Sequence, residues 1–430
     1  MSGARWGGGY VTDIDYMPGW YPFQSPLHLT TACLLMGVAC DLQAGDEDIH
    51  YVELGCGLGF GAMAIAASNP SWRITGIDYN PAHIAQARAV ARDSGLRNVR
   101  FVEADLSDFA ESEEGRDLPE ADFVSFHGVW SWVPPPVRAG IVRFLRAKVR
   151  SGGVVHLSYN SLPGWQSALG MQRAMLDASE GRAGGSRRRV ADGLALIDAL
   201  HKAEAPQLSA SPFNRRMIER FPSLPVPYLA HEYLNESWSP CFHADVVDAL
   251  SDAKLEWVGS ASLTENFARL MLPEAQREIF DRAETPRLRE LIKDMCLTRA
   301  LRNDVFVRGA QRMSDGARDA ALRGLALGPA MPLSAVSYEV ELGNATATLG
   351  REFYEPMLAR LAQAPATVAE LGAAAGRPTD AREIAGILVG VGYALPMLRP
   401  GHPPIPSAER FNRVAARWLM RPENLTKPLA

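Results

Sequence analysis

The sequence has few cysteines, and their spacing pairs none of them. Five stand apart at 33, 40, 56, 241 and 296, with no Cys-x-x-Cys pair. That argues against a disulfide framework and a zinc site, and for reduced thiols. No apolar run reaches the roughly 18 residues of a membrane-spanning helix, so no membrane partner is expected. Residues 1–9 carry no apolar core of a secretion signal, which points to a cytoplasmic location. A surplus of positive charge is also missing. Against 49 Asp and Glu there are 44 Lys and Arg, a net charge of −5, so no nucleic-acid partner is expected of the whole chain. No internal repeat is visible.

What is present is an ordinary globular balance, 47% hydrophobic and 22% charged over 430 residues. At about 100–200 residues per domain, two or three domains are expected. The chain is organised around Tyr51-Val52-Glu53-Leu54-Gly55-Cys56-Gly57-Leu58-Gly59-Phe60-Gly61, followed by Gly76-Ile77-Asp78-Tyr79. The pattern reads as strand, glycine loop, helix, strand. Glycine lets a ligand approach the backbone, and the following helix aims amide groups into the same space. An acid closing the second strand suits ribose hydroxyls.

Two cofactors fit this crossover. From Gly57, the series Gly57, Gly59, Ala62 and Asp78 matches a dinucleotide fingerprint. From Glu53, the series is Glu-x-Gly-x-Gly-x-Gly through Gly55, Gly57 and Gly59. An acid just before the loop would repel a pyrophosphate. It suits S-adenosylmethionine (SAM), which carries an ammonium, a sulfonium and no phosphate.

Beyond the loop, strand and helix patterns alternate. Strands are expected at 49–54, 72–77, 99–103, 123–126 and 154–159, with Gly152-Gly153 turning into the fifth. Helices are expected at 26–42, from 61 to about 68, and after Asn80-Pro81. This predicts an α/β, Rossmann-like, doubly wound and mostly parallel sheet. Ligands bind such sheets outside the carboxyl ends of the strands. Glu53, Asp78, Asp105, His127, Tyr159 and Asn160 all fall at or just past those ends. An aromatic, glycine- and proline-rich lead-in occupies 1–25.

The segment from Glu53 to Gly61, with Gly76 to Pro81, resembles the first two motifs of class I SAM-dependent methyltransferases. His127-Gly128-Val129-Trp130-Ser131-Trp132-Val133 and Ser158-Tyr159-Asn160-Ser161-Leu162-Pro163-Gly164-Trp165 resemble a bacterial branch with a methyltransferase regulatory domain after the core. Tyr228-Leu229-Ala230-His231-Glu232-Tyr233-Leu234-Asn235-Glu236 looks like the signature of that domain. The branch includes protein-lysine methyltransferases. The resemblance implies SAM held by Glu53, Gly55, Gly57, Gly59, Asp78, Tyr79, Asp105, Leu106 and His127. Asp78 would hold the ribose, Asp105 the adenine amine, and Glu53 the ammonium side. It implies a lead-in segment folded over the cofactor pocket.

On the acceptor side, His127, Tyr159, Asn160, Tyr228 and His231 are the candidate catalytic residues. Glu232 is expected to help close the pocket from above. Trp130, Trp132 and Tyr159 are candidate aromatic walls, and equally candidate core residues. No metal is expected. The leading acceptor is a protein lysine amine. The alternatives are O- or N-methylation of a small molecule, and a SAM-binding regulator without turnover. A homodimer is compatible with this reading. The Asn/Asp-Pro-Pro-Tyr/Phe motif is absent after the fourth strand, which argues against adenine or glutamine methylation.

Three units are expected. They are a SAM-binding core with its N-terminal lid at 1–170, a helical linker and α+β regulatory unit at 171–300, and a winged-helix-like unit at 301–430. From Met331 to Ala430 there are 10 Lys plus Arg and 9 Asp plus Glu. That balance argues against DNA binding by the last unit.

Overall fold

The computed structural model describes residues 9–14, 16, 19–40, 42, 48–180, 184–342, 345–376, 378–398, 400–401 and 405–420. Its centre is a seven-stranded sheet. In chain order the strands are β1 (His50–Leu54), β2 (Arg73–Asp78), β3 (Val99–Glu103), β4 (Ala121–Phe126), β5 (Val149–Asn160), β6 (Leu255–Ser260) and β7 (Leu301–Arg308). Across the sheet they lie in the order β3-β2-β1-β4-β5-β7-β6. The first five run parallel, and β7 runs antiparallel to β5 and β6. All five residues of β1 are buried, as expected of a strand covered on both faces. The order reverses between β1 and β4, which opens the crevice where such sheets take ligands.

Gly152-Gly153 do not precede β5. The strand begins at Val149 and bulges between two stretches of pairing with β4. Gly152 takes the left-handed φ of 76° that this bend requires.

The sheet crosses both expected unit boundaries. Between β5 and β6 lies a helical insertion, with helices Leu169–Ala178, Ser186–Lys202, Pro212–Arg220 and Val226–Tyr233. Trp165, Met171, Met175, Ile197, Phe221, Leu229 and Tyr233 form its own buried core. β6 (Leu255–Ser260), which lies inside the expected 171–300 unit, is the outer edge of the main sheet.

β7 was not expected, and its charges explain why. Arg302 and Asp304 are both fully buried. Arg302 donates to Asp304 at 2.9 Å, to Asp294 at 2.8 Å and to Glu290 at 2.9 Å. Buried charges persist only when paired and hydrogen-bonded in this way.

The C-terminal part contains β8 (Ala326–Pro329), β9 (Glu339–Leu342), β10 (Ala345–Thr348), β11 (Ala366–Thr367) and β12 (Ala394–Met397). Three helices and a strand follow one another there, Arg351–Gln363, Val368–Ala374, Ala381–Gly390 and β12. Its sheet has the order β11-β8-β12. The central strand β8 precedes the run, and among the described residues no wing hairpin follows β12. The last helix, Pro406–Leu419, packs on the helix after the glycine loop. There Phe60 meets Phe411 at 5.6 Å and Trp418 at 6.0 Å between ring centres. No described helix is long and apolar enough to cross a membrane.

Candidate active site

Gly55, Gly57 and Gly59 are all left-handed, with φ of 67°, 53° and 70°. The reasons differ. A Cβ on Gly55 would lie 2.4 Å from Val129, whereas one on Gly57 would meet nothing within 4 Å. Gly55 is therefore demanded by packing, and Gly57 keeps the loop bare on the crevice side. The Gly57 amide donates to Asp78 Oδ2 at 2.8 Å, and the Asn80 amide to Oδ1 at 2.9 Å. His83 Nδ1 lies 3.4 Å from the same Oδ1. The loop and the end of β2 are thus locked together. Oδ2, with one donor on it, keeps a second lone pair for a ribose hydroxyl.

Glu53 ends β1 almost fully buried. Gln24 Nε2 donates to its Oε1 at 3.4 Å and to Ser125 Oγ at 3.0 Å. Burial pushes Glu53 up to about 7, opposed by Gln24 and the Ala62 amide. Among the described residues, no group lies in hydrogen-bonding geometry to its buried Oε2. A buried acceptor without a donor suits an ammonium group, as SAM supplies, and does not suit a pyrophosphate.

Asp105 follows β3 in an open cleft shared with Glu103 and Asp108. Its Oδ1 accepts from the Ser107 amide at 2.8 Å. Leu106 is buried, and Tyr79 stands 40% exposed after Asp78.

Beyond β4, His127 Nδ1 lies 2.7 Å from Ser158 Oγ, which accepts from the Gly128 amide at 2.8 Å. Burial lowers His127 to about 4, so the imidazole is neutral near pH 7. The N-terminal arm covers it, with Tyr21 and Phe23 ring centres at 4.2 and 5.2 Å. Tyr21 is raised by burial first and then by the charge of Glu53. Tyr10 is raised by burial and by Asp78. The charges of the two rim carboxylates thus reach two phenols of the arm.

The Val226–Tyr233 helix closes the other side. His231 Nε2 lies 2.8 Å from the Ile14 carbonyl, and its ring packs against Tyr10 and Tyr16. His231 therefore holds the arm. Glu232, the next residue, accepts from Asn160 Nδ2 at 3.2 Å. Burial pushes it up to about 7. Its charge acts on the phenols of Tyr16 and Tyr228, both raised chiefly by burial. Glu53 thus acts on Tyr21, and Glu232 on Tyr16, through charge, while Asn160 is hydrogen-bonded to Glu232.

Tyr159 does not join these residues. The residue is fully buried, and its hydroxyl donates to Asp304 at 2.5 Å beside His243. Neighbours on a strand face opposite ways, so only Asn160 of the pair turns to the site. The expected contact of Tyr159 with an acceptor is closed off by this bond. Trp130 is likewise a core residue, packed on Phe126 and beneath Arg138. Gln24 was not singled out in the sequence, and Tyr10, Tyr16 and Tyr21 were read only as aromatics of the lead-in, with no individual role. Their only signal was the aromatic density of the lead-in. Among the described residues no cluster could hold a metal ion.

A strand order of 3-2-1-4-5-7-6 with this glycine loop and rim defines the class I methyltransferase fold. Residues 52–155 match the family model of a methyltransferase domain. Residues 226–308 match that of a predicted methyltransferase regulatory domain. The uncharacterised protein sll1526 of Synechocystis is 31% identical over 366 residues, 85% of this chain and 71% of its own length. A carboxy-S-adenosyl-L-methionine synthase of Dichelobacter nodosus is 24% identical over 42% of this chain and 74% of its own. Among solved structures, PKMT2 from Rickettsia typhi in complex with AdoHcy superposes with a TM-score of 0.68. That match covers 90% of this chain and 78% of PKMT2 at 18% identity. The chain belongs to the family of class I SAM-dependent methyltransferases that carry the methyltransferase regulatory domain. Its cofactor is SAM.

Proposed function

We propose that the chain methylates a lysine side chain of a protein. The observation that carries this reading is Glu232, a half-buried carboxylate hydrogen-bonded to Asn160 and electrostatically coupled to the phenols of Tyr16 and Tyr228. A carboxylate with aromatic faces beside it attracts an ammonium and repels an anionic acceptor. SAM, when bound, supplies a methyl group already activated by the sulfonium. The protein has to position the amine, exclude water and remove a proton.

A free lysine amine has a pKa of about 10.4, so it arrives protonated. Desolvation and a neighbouring positive charge favour its neutral form. Glu232, ionised above about 7, accepts the departing proton. Asn160 holds that carboxylate in place, and Tyr16 and Tyr228 wall the amine. Neutral His127 adds no competing charge. His231 acts at one remove, by fixing the arm. Glu53, Asp78, Tyr79, Asp105, Leu106 and the three loop glycines hold the cofactor along the rim. The likeness to PKMT2, a protein lysine methyltransferase, extends over the regulatory part as well as the core and supports the same choice.

The arm favours a second reading. Tyr10, Tyr16 and Tyr21 cover the rim, and a covered pocket suits a small amine or alcohol. Transfer of tritiated methyl from SAM into a cell extract separates the two. Label recovered as methyl-lysine after protein hydrolysis is expected. Label confined to small molecules overturns the protein-lysine reading.

A further inference from the structure

Arg299 sits where the Pro286–Leu297 helix turns into β7, and it is only 6% exposed. Thr298 before it is left-handed, with φ 45° and ψ 45°. That conformation is costly for a β-branched residue. Such strain is kept only where the surroundings impose it. Among the described residues, none of the three guanidinium nitrogens of Arg299 has a hydrogen-bond partner. Three carboxylates lie near Nη1, Asp294 at 3.4 Å, Glu265 at 3.5 Å and Glu290 at 3.9 Å. Each is engaged elsewhere. Asp294 and Glu290 accept from Arg302, Glu290 also pairs with Lys293, and Glu265 accepts from Ser260 Oγ. They offset the charge of Arg299 and leave its five N–H donors unmet.

Arg299 lines a cavity of about 320 Å³ between this turn and the Pro212–Arg220 helix. Arg216 and Arg220 line the facing wall, one helical turn apart. Glu265 is the single acidic residue in the lining, against three arginines. Phe213 and Met217 make the facing wall apolar. Like charges four residues apart on a helix repel, and an anion between them removes that repulsion. Planar guanidinium forks match the oxygens of a carboxylate or phosphate.

We propose that this cavity binds an oxyanion, a carboxylate or phosphate group, with Arg299 at its floor and Arg216 and Arg220 at its rim. The apolar wall accepts a short hydrocarbon body. The site spans the helical insertion and the segment matched by the regulatory-domain model. It also lies within electrostatic reach of the acceptor end, because the charge of Arg220 acts on Tyr228 and Tyr233.

The test uses the full chain, with inorganic phosphate and butyrate titrated separately by calorimetry. The two arms distinguish a phosphate from a carboxylate ligand. Binding of at least one probe is expected in the millimolar range, about −4 kcal/mol. The double variant R216A/R220A changes only exposed side chains of the cavity rim. It is expected to weaken binding by about tenfold or more, the effect of losing charge-assisted hydrogen bonds. Arg299→Met is expected to abolish it. If Arg299→Met fails to fold, the surface double variant still decides. The proposal is overturned if neither probe binds the intact protein at roughly 50 mM, well above ordinary weak affinities. Unchanged affinity in R216A/R220A overturns it too, as does a crystal soaked in both probes that shows only ordered water on Arg299.

Discussion

Asn160, at the end of β5, donates a 3.2 Å hydrogen bond to Glu232 on the Val226–Tyr233 helix. One residue comes from the catalytic sheet and the other from the regulatory segment, so the acceptor end exists only when the two are docked. Glu232→Gln keeps the shape and removes the proposed proton acceptor. Methyl transfer is expected to fall by about 10²–10⁴, the usual worth of a general base, with SAM affinity unchanged. Single-turnover rates and a SAM titration measure both. Equal losses in rate and affinity would mean that Glu232 only supports the cofactor site.

Tyr159 and Asn160 are adjacent in sequence and separate in role. Tyr159→Phe removes the hydroxyl bound to Asp304 in a buried ion network. The expected result is a loss of about 1–3 kcal/mol in stability, typical of a bond to a charged group, with the rate per folded molecule preserved. Asn160→Ala is expected to slow turnover per folded molecule, whatever its own cost in stability. Denaturant unfolding and initial rates on both variants check this contrast.

The strand ends were readable because two signals agreed there. Glycine spacing marked the loop, and Glu53, Asp78 and Asp105 each broke an apolar run at its carboxyl end. β7 was hidden because Arg302, Asn303 and Asp304 look like a solvated stretch. Only the fold brings up Glu290 and Asp294 to neutralise Arg302. The opposite facing of Tyr159 and Asn160 was present in the strand period. The partners of Tyr10, Tyr16 and Tyr21 were not, since a proline- and glycine-rich arm has no period to place its rings.

Gly57 and Gly55 separate ligand space from packing space. Both are left-handed, so alanine at either costs about 1 kcal/mol in backbone strain. At Gly55 the new Cβ also lies 2.4 Å from Val129, while at Gly57 it meets nothing within 4 Å. Gly55→Ala is expected to lower the melting temperature by several degrees more than Gly57→Ala. Gly57→Ala is expected to weaken SAM binding well beyond its effect on stability. Thermal melts with and without SAM measure both quantities.

The pH dependence follows from Glu53 and Glu232, both raised to about 7 from an ordinary 4.5. In the folded chain each holds its proton to higher pH than in the unfolded chain. The stability they contribute is complete below about 4.5 and is lost as pH rises through about 7. Without cofactor, the melting temperature is therefore expected to fall between pH 5 and 8, apart from other groups titrating there. An ammonium beside Glu53 favours the ionised carboxylate, so stabilisation by SAM is expected to grow over the same interval. Turnover is expected to rise with pH through about 7 as Glu232 ionises. Glu53→Gln removes one carboxyl, so it is expected to flatten the melting profile of the cofactor-free protein and abolish the pH-linked gain from SAM. If the gain survives in Glu53→Gln, the ammonium does not lie against Glu53.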